Sequence, residues 1–297
     1  MTDLAPVRDP KEILKRIRKI ELVTSRLVND QLVGSYHSVF KGRGMDFDDV
    51  RQYQPGDDVR QIDWNVTARA GEAYIKKFVE ERELTVMLLV DCSGDGRFGT
   101  RSQTKAEMQA EVAALLAFSA IKNNDRVGLV LFSDTVEHFV PPQKGRSHVL
   151  RVIRDILSFE PTGQGKRIEA GLEFLGRVSR RKAIAFLLSD FYGAGYEPAI
   201  RIARRRHDLV PVVVTDPREE ELVGLGQCAF EDPKTGELLW RHVGGGFLSR
   251  FKKKTDKDRL DREKVFRKLK LDFIHLRTGE EYTTALLKYF RLRAKRY

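Results

Sequence analysis

The amino-acid sequence predicts an α/β fold, in which a doubly wound, mostly parallel sheet carries helices on both faces. Short apolar runs alternate with helical segments from residue 84 onward, which is the pattern of a parallel sheet with crossover helices. The run LTVMLLVD is continuously apolar from Val86 to Val90, as expected of a strand covered on both faces, and right-handed crossovers then place helices on the two sides of the sheet. The 297 residues can bury a full core as one large domain or two smaller ones.

The N-terminal region, residues 1–80, is predicted to hold a helix and an Arg/Asp-rich segment that pack on the core. Residues 9–32 carry apolar side chains at helical spacing and a basic outer face, and we interpret this helix as docked on the protein rather than on a membrane. Residues 34–83 lack a helical period and contain the turn signal Pro55-Gly56. This segment is therefore predicted to be irregular before a strand in YIKKFVEE.

The central region, residues 81–217, contains the alternating pattern and is predicted to be the α/β domain. Its four strands are LTVMLLVD, RVGLVLFS, KAIAFLLSD and DLVPVVVTD. Its four helices are TKAEMQAEVAALLAFSAIKNN, SHVLRVIRDILSF, RIEAGLEFLGRVSR and YEPAIRIARRR.

The C-terminal extension, residues 218–297, begins with a predicted hairpin in GQCAFEDPKTGELLWRH, with Pro-Lys-Thr-Gly as its turn. The glycines at 244–246 are predicted to form a hinge or tight turn. A charged helix in FLSRFKKKTDKDRLDREKVFRKLK, a short strand in LDFIHLRT and a closing helix in GEEYTTALLKYFRLRAKRY complete the chain.

The formal net charge of +11 comes entirely from the last 57 residues. Residues 1–240 contain equal numbers of basic and acidic side chains, whereas residues 241–297 contain 18 basic and 7 acidic ones. The main body is therefore not a polyanion binder by charge, and the basic tail is the part able to touch an acidic partner.

The chain has no apolar run of the length that spans a bilayer, no signal-peptide pattern, and two cysteines without metal-ligand spacing, so we expect no membrane insertion and a cytoplasmic location.

Acidic and hydroxyl side chains follow two of the predicted strands. Asp91 ends one strand and is followed by Ser93 and Asp95, and Asp190 ends another. The carboxyl ends of parallel strands lie at the same edge of a sheet, which is where open α/β sheets bind ligands. Carboxylate and hydroxyl oxygens suit Mg²⁺, Mn²⁺ or Ca²⁺, so these four residues are the predicted metal ligands.

This pattern resembles the metal-ion-dependent adhesion site of von Willebrand factor A domains, in which a strand ends in Asp-x-Ser-x-Ser and a later Thr and Asp complete the site. The upstream segment GRGMDFDDVRQYQPGDDVRQIDWNVTAR closely resembles the signature of bacterial A-domain proteins of domain of unknown function fifty-eight, often encoded beside MoxR-type ATPases. The resemblance covers residues 34–190. It implies a non-enzymatic partner of a MoxR-type AAA+ ATPase, acting in chaperone-like assembly or maturation of client proteins.

Two positions depart from the family pattern. Asp95 stands where a second Ser is usual, and Lys166 stands where the Thr aligns, with Thr162 nearby as an alternative hydroxyl ligand. Either Lys166 swings out and a metal binds, or its ammonium occupies the cation position and bridges Asp91 or Asp95, which is the interpretation we favour. A further alternative is that Asp95 only caps the turn before the next helix.

The segment DDVRQYQPGDDVRQIDW has two interpretations. Its dense opposite charges favour Arg–carboxylate pairs that support an irregular backbone, whereas Arg51, Arg60 and Trp64 are also residue types typical of a partner-docking surface.

Two other functions stay open. One is a Mg²⁺- or Mn²⁺-dependent phosphoesterase using Asp91, Asp95 and Asp190, although the sequence contains no Walker loop and no G-x-S-x-G elbow. The other is nucleic-acid binding through residues 241–297, which predicts an affinity that depends steeply on salt.

Overall fold

The structure, a computed structural model, describes residues 15, 17–18, 36, 39–40, 46–79, 83–101, 103–163, 165–231 and 236–295. Of the predicted N-terminal helix, residues 15, 17 and 18 are described and are helical, and the rest of it lies outside the described residues. Residues 233–235 of the predicted hairpin turn also lie outside them.

The Arg/Asp-rich segment is more regular than the sequence predicts. It contains strand β1 (Asp46–Gln52), helix α1 (Trp64–Ala70) and strand β2 (Tyr74–Val79), with β1 and β2 paired antiparallel. Asp63 caps the amino end of α1 by accepting hydrogen bonds from the backbone N–H groups of residues 65 and 66, and Gly71 ends the helix in the left-handed region. The strand predicted in YIKKFVEE is confirmed as β2. The prediction of an irregular segment before it is wrong for β1 and α1, because local caps rather than a long apolar period define so short a helix.

Six strands form the central sheet. In chain order they are β3 (Thr85–Asp91), β4 (Arg126–Phe132), β5 (Val136–Gln143), β6 (Ile184–Ser189), β7 (Asp208–Thr215) and β10 (Ile274–Arg277). Their spatial order is β10-β7-β6-β3-β4-β5, and all neighbours are parallel except β4 and β5. The edge strand β5 is absent from the sequence prediction, because its two adjacent prolines argue against a strand and are tolerated only at an edge.

Helices cover both faces of this sheet. In chain order they are α2 (Lys105–Lys122), α3 (Arg146–Ser158), α4 (Ile168–Val178), α5 (Glu197–Arg206), the single turn α6 (Pro217–Glu220), α7 (Gly245–Lys268) and α8 (Tyr282–Ala294). One apolar core joins the sheet to α2, α3 and α8, and a second joins it to α4, α5 and α7. Alternate residues of β3 enter the two cores, with Leu88 in the first and Leu89 in the second.

The described N-terminal residues contribute to the first core. Tyr36 is fully buried and its hydroxyl donates to Asp125, while the Phe40 ring lies edge-on to Phe186 and Phe290. These contacts join the start of the chain to the central strand β6 and to the closing helix α8.

A separate two-stranded hairpin, β8 (Gly226–Glu231) and β9 (Leu238–Val243), precedes α7. Gly245 and Gly246 form the first residues of α7, so the predicted hinge at 244–246 is wrong and these glycines open a helix of 24 residues. Among the helices in the described part of the chain, none combines the length and the apolar character that a bilayer crossing requires. The whole arrangement confirms the predicted mixed α/β class, with a central, mostly parallel sheet flanked by helices.

Candidate functional site

The candidate site lies at the carboxyl edge of the sheet, between β3 and β6. The chain passes from β3 to β4 on one side of β3, and later returns to β6 on the other side. The connections therefore diverge between these two strands and leave a crevice, which is the usual ligand position in open α/β sheets. Asp91 ends β3 and Asp190 directly follows β6, and both side chains are buried.

The loop after β3 folds back toward the strand end. The backbone N–H of Ser93 donates to the Asp91 carboxylate at 3.0 Å, and a short 3-10 turn, Gly94–Arg97, then carries Asp95 into the crevice. The Asp95 carboxylate is directed at Lys166, so its role in the structure is a contact across the crevice and differs from the turn-capping alternative. The Ser93 residue of this loop is also buried.

The ammonium of Lys166 lies at the centre of three carboxylates. Its Nζ atom is 2.5 Å from Asp190, 2.7 Å from Asp95 and 3.9 Å from Asp91. Lys166 sits in the loop that leads into α4, and its side chain is almost entirely buried. The three predicted acidic residues thus all lie next to the Lys166 ammonium.

A second buried lysine, Lys105, which is not among the predicted site residues, completes the cluster. Its Nζ atom lies 2.9 Å from the other oxygen of Asp190 and 2.5 Å from Glu219 of α6, and only 1 % of the residue is exposed. Lys105 is the first residue of α2. A cation there opposes the helix dipole, and this mismatch is the one sequence signal that points to a dedicated partner for Lys105.

Further hydrogen bonds hold the carboxylates in place. The Ser189 hydroxyl donates to Asp91 at 2.6 Å, and the Tyr192 backbone N–H donates to Asp190 at 2.9 Å. Arg262 of α7 donates to the backbone carbonyl of Asp190 at 3.0 Å. Elements from across the C-terminal half of the chain therefore converge on the two strand ends.

Burial and the lysines shift the pKa values of the two central carboxyl groups in opposite directions. Burial raises the pKa of Asp91, and the 3.9 Å contact to Lys166 offsets this only in part. Burial also acts to raise the pKa of Asp190, but the charges of Lys166 and Lys105 outweigh it, so that pKa is lowered. For both lysines, burial acts to lower the pKa and the surrounding carboxylates reverse the effect, so both ammonium groups stay charged.

This arrangement does not fit a divalent metal ion. The ammonium of Lys166 stands between the oxygens that would be ligands, and a doubly charged ion about 4 Å from it would be repelled by about 8 kcal/mol at an effective dielectric constant of about 20. Within the described ranges, no group of three or more His, Cys, Asp or Glu side chains is arranged to hold a metal. The predicted ligands Asp91, Asp95 and Asp190 lie around a lysine instead.

Thr162, the alternative hydroxyl ligand, does not point into this cluster. Its hydroxyl donates to Glu137 at 2.7 Å, and the adjacent Gly163 N–H donates to the same carboxylate. The loop is thus held against β5, and this prediction is corrected: a neighbouring acceptor takes the hydroxyl away from Asp91 and Asp190.

The predicted docking residues lie on the small N-terminal unit of β1, α1 and β2. Arg51 makes a bidentate pair with Asp57, at 2.9 and 2.7 Å, and both residues remain accessible. Arg60 is exposed, and Trp64, the first residue of α1, is 70 % exposed. The segment therefore combines one structural ion pair with an unusually exposed tryptophan.

Comparisons with known proteins identify relatives but no activity. A family model described as "Protein of unknown function DUF58" matches residues 49–260. The protein Rv1480 of Mycobacterium tuberculosis is 27% identical over 292 residues, which cover 97% of this chain and 92% of that protein. YeaD of Bacillus subtilis is 26% identical over 201 residues, which cover 68% of this chain and 48% of that protein.

Two solved structures are also similar to this chain. BatB from Bacteroides thetaiotaomicron aligns with a TM-score of 0.47 and 15% identity, covering 71% of this chain and 99% of that one. An aerotolerance-related membrane protein from Bacteroides fragilis aligns with a TM-score of 0.47 and 14% identity, covering 72% of this chain and 100% of that one.

Proposed function

The chain belongs to the DUF58 family, and from this premise we propose that it is a non-enzymatic protein-interaction module. It binds partners through the carboxyl edge of a von Willebrand factor A-like domain. The adhesion-type site there is degenerate, with the Lys166 ammonium in place of the metal ion. The partners are a MoxR-type AAA+ ATPase and client proteins in chaperone-like assembly or maturation, in the cytoplasm.

One observation carries the proposal. The Lys166 ammonium lies within 4 Å of Asp91, Asp95 and Asp190 at the point where the strand order diverges. A metal-dependent adhesion site uses that position for a cation that organises its ligands. A buried lysine organises the same oxygens permanently, so the site needs no metal to keep its shape.

The charges also favour recognition over catalysis. The buried carboxylates of Asp91 and Asp190 are engaged by lysines, a serine hydroxyl and backbone N–H groups. Asp95 is the most accessible carboxylate of the three, with a third of its side chain exposed, and it offers an acceptor to a partner. A reaction would need a free base or a nucleophile, and the acidic groups here are held in fixed ion pairs.

Trp64 provides a second contact in this proposal. Exposed tryptophans and arginines are typical hot-spot residues, and Trp64 and Arg60 lie within one short stretch of the N-terminal unit. The family signature runs through this stretch, which is why we assign it to partner docking together with Arg51.

Co-purification from the native cell tests the partner. We expect an AAA+ ATPase to be recovered with the wild-type chain and with a control variant, Asp261→Asn, in an exposed position on α7. Recovery should fall at least about tenfold for Asp95→Asn and Trp64→Ala, since hot-spot substitutions cost about 2 kcal/mol or more. Failure to recover an ATPase, or equal recovery with all variants at equal thermal stability, contradicts the proposal.

A phosphatase screen tests the non-enzymatic part. With Mg²⁺ or Mn²⁺ and generic phosphate esters, we expect no turnover by the purified chain. Hydrolysis that disappears in Asp91→Ala would establish the phosphoesterase alternative.

A further inference from the structure

Several large apolar side chains are exposed on the hairpin that precedes α7. We call β8, β9 and residues 245–254 the hairpin unit. Four large apolar residues on or beside it are strongly exposed: Leu225 (63 %), Leu238 (58 %), Leu239 (48 %) and Trp240 (65 %). Clustered exposed side chains of this size mark interaction surfaces.

Exposed apolar side chains occur on both faces of the hairpin. Leu239 pairs with Phe230 on the face that turns toward α7, whereas Trp240 pairs with Ala229 on the opposite face. The Phe230 ring lies 6.3 Å from Phe247 of α7, which fixes the hairpin to the first turn of that helix. A flat protein surface could cover only one face of the hairpin, whereas a medium into which the hairpin inserts could cover the exposed apolar side chains of both faces.

Positive charge accompanies this apolar surface. Residues 238–254 contain five lysines and arginines and one histidine, but no acidic residue. All five of these basic side chains, at positions 241, 250, 252, 253 and 254, are exposed. Glu231 ends β8 and Glu237 precedes β9, so the basic side chains of the described hairpin unit are those of β9 and α7.

We propose that the hairpin unit binds the surface of a bilayer rich in anionic phospholipids. Trp240 and the exposed leucines would lie at the boundary between headgroups and acyl chains, where the amphipathic indole ring is favoured. The lysines and Arg250 contact the anionic headgroups, each contributing roughly a fivefold gain in affinity. This binding is peripheral, involves no spanning segment, and is independent of the partner site between β3 and β6.

Vesicle binding by the full chain tests the proposal. In a Trp64→Phe background Trp240 is the single tryptophan, because the chain contains two. Adding vesicles of phosphatidylcholine and phosphatidylglycerol in equal amounts should shift its emission to shorter wavelength and sediment the protein. Vesicles of phosphatidylcholine alone should do neither at the same lipid concentration, and salt at about 0.5 M should release the protein.

Variants separate the apolar contribution from the charge. Trp240→Ala should weaken vesicle binding, followed by sedimentation, roughly tenfold. The triple change of residues 252–254 to Gln should weaken it on the order of 100-fold, while Lys264→Gln, in an exposed position farther along α7, should have little effect. Leu238→Ser serves as a second apolar variant if Trp240→Ala does not fold.

Three outcomes overturn the proposal. They are no vesicle binding at low salt, binding that Trp240→Ala and Leu238→Ser leave unchanged, and binding of poly-glutamate without binding of vesicles. The last outcome would assign the hairpin unit to an acidic protein partner.

Discussion

Replacing Lys166 with methionine removes the cation at the centre of the site while nearly preserving the volume of the side chain. The substitution leaves Asp91 buried and without its nearest positive charge, and leaves Asp95 without its 2.7 Å partner. Asp190 keeps its 2.9 Å contact to Lys105. The variant therefore tests the built-in cation without emptying the core.

The expected loss of stability is large but limited by Lys105. Removing one partner of a buried ion pair costs about 3–5 kcal/mol. Because Lys105 still neutralises Asp190, we expect about 3 kcal/mol, near the lower end of this range. With the urea dependence usual for a domain of this size, the midpoint of unfolding should fall by about 1 M.

The pH dependence has a definite sign. Burial already raises the pKa of Asp91, and loss of the neighbouring ammonium raises it further. A carboxyl group whose pKa is higher in the folded state destabilises the fold above that pKa, and protonation relieves the cost as the pH falls. The stability gap between wild type and Lys166→Met should therefore narrow as the pH falls through the raised pKa of Asp91 in the variant.

Urea unfolding followed by circular dichroism, at pH 7 and at a series of lower pH values, measures these effects. Lys253→Met, in an exposed position, is the matched control and should change the free energy of unfolding by less than about 0.5 kcal/mol. A loss below about 1 kcal/mol for Lys166→Met at pH 7, with no dependence on pH, would refute the role assigned to the lysine.

The remaining predictions concern the fold around the site. A Cβ on Gly171 of α4 would lie 2.8 Å from an aromatic ring carbon of β4, so Gly171→Ala should destabilise by about 1–3 kcal/mol in urea unfolding. Gly176→Ala, on the same helix and 3.9 Å from the nearest outside atom, should instead stabilise by about 0.5–1 kcal/mol, and equal effects at the two sites would contradict the packing argument. Burial opposes ionisation of Glu220, but His275 and Arg277 hold its pKa at about 2, so the advantage of wild type over Glu220→Gln should be complete above pH 4.5 and vanish as the pH falls to about 2. If the difference in unfolding free energy between wild type and Glu220→Gln stays constant across this pH range, these contacts are not formed.

The strands of the central sheet can be predicted from the sequence because their burial requires continuous apolar runs. The runs around Leu88 and Phe186 are apolar on both faces, since helices cover both sides of the sheet. The same reasoning places Asp91 and Asp190 at one edge, where the structure also has them. Helix α1 is defined by its caps and strand β5 contains two adjacent prolines, so neither carries such an apolar pattern and the sequence does not predict them.

The site itself could be predicted only in part. Lys166 was found because the resemblance to a known motif aligned it with a ligand position. Lys105 and Glu219 are brought to Asp190 by tertiary packing from 85 residues before it and from the turn after β7, and no local pattern joins them. The periodicity of a sequence does not reveal ion pairs between distant elements, so Lys105 can be identified as a site residue only from the structure.

Calorimetric titration of Mg²⁺ and Mn²⁺ into the wild-type chain tests the central claim most directly. If the Lys166 ammonium holds the cation position among Asp91, Asp95 and Asp190, the titration should give only heats of dilution. Tight binding of one metal ion per chain to the wild type would contradict the account.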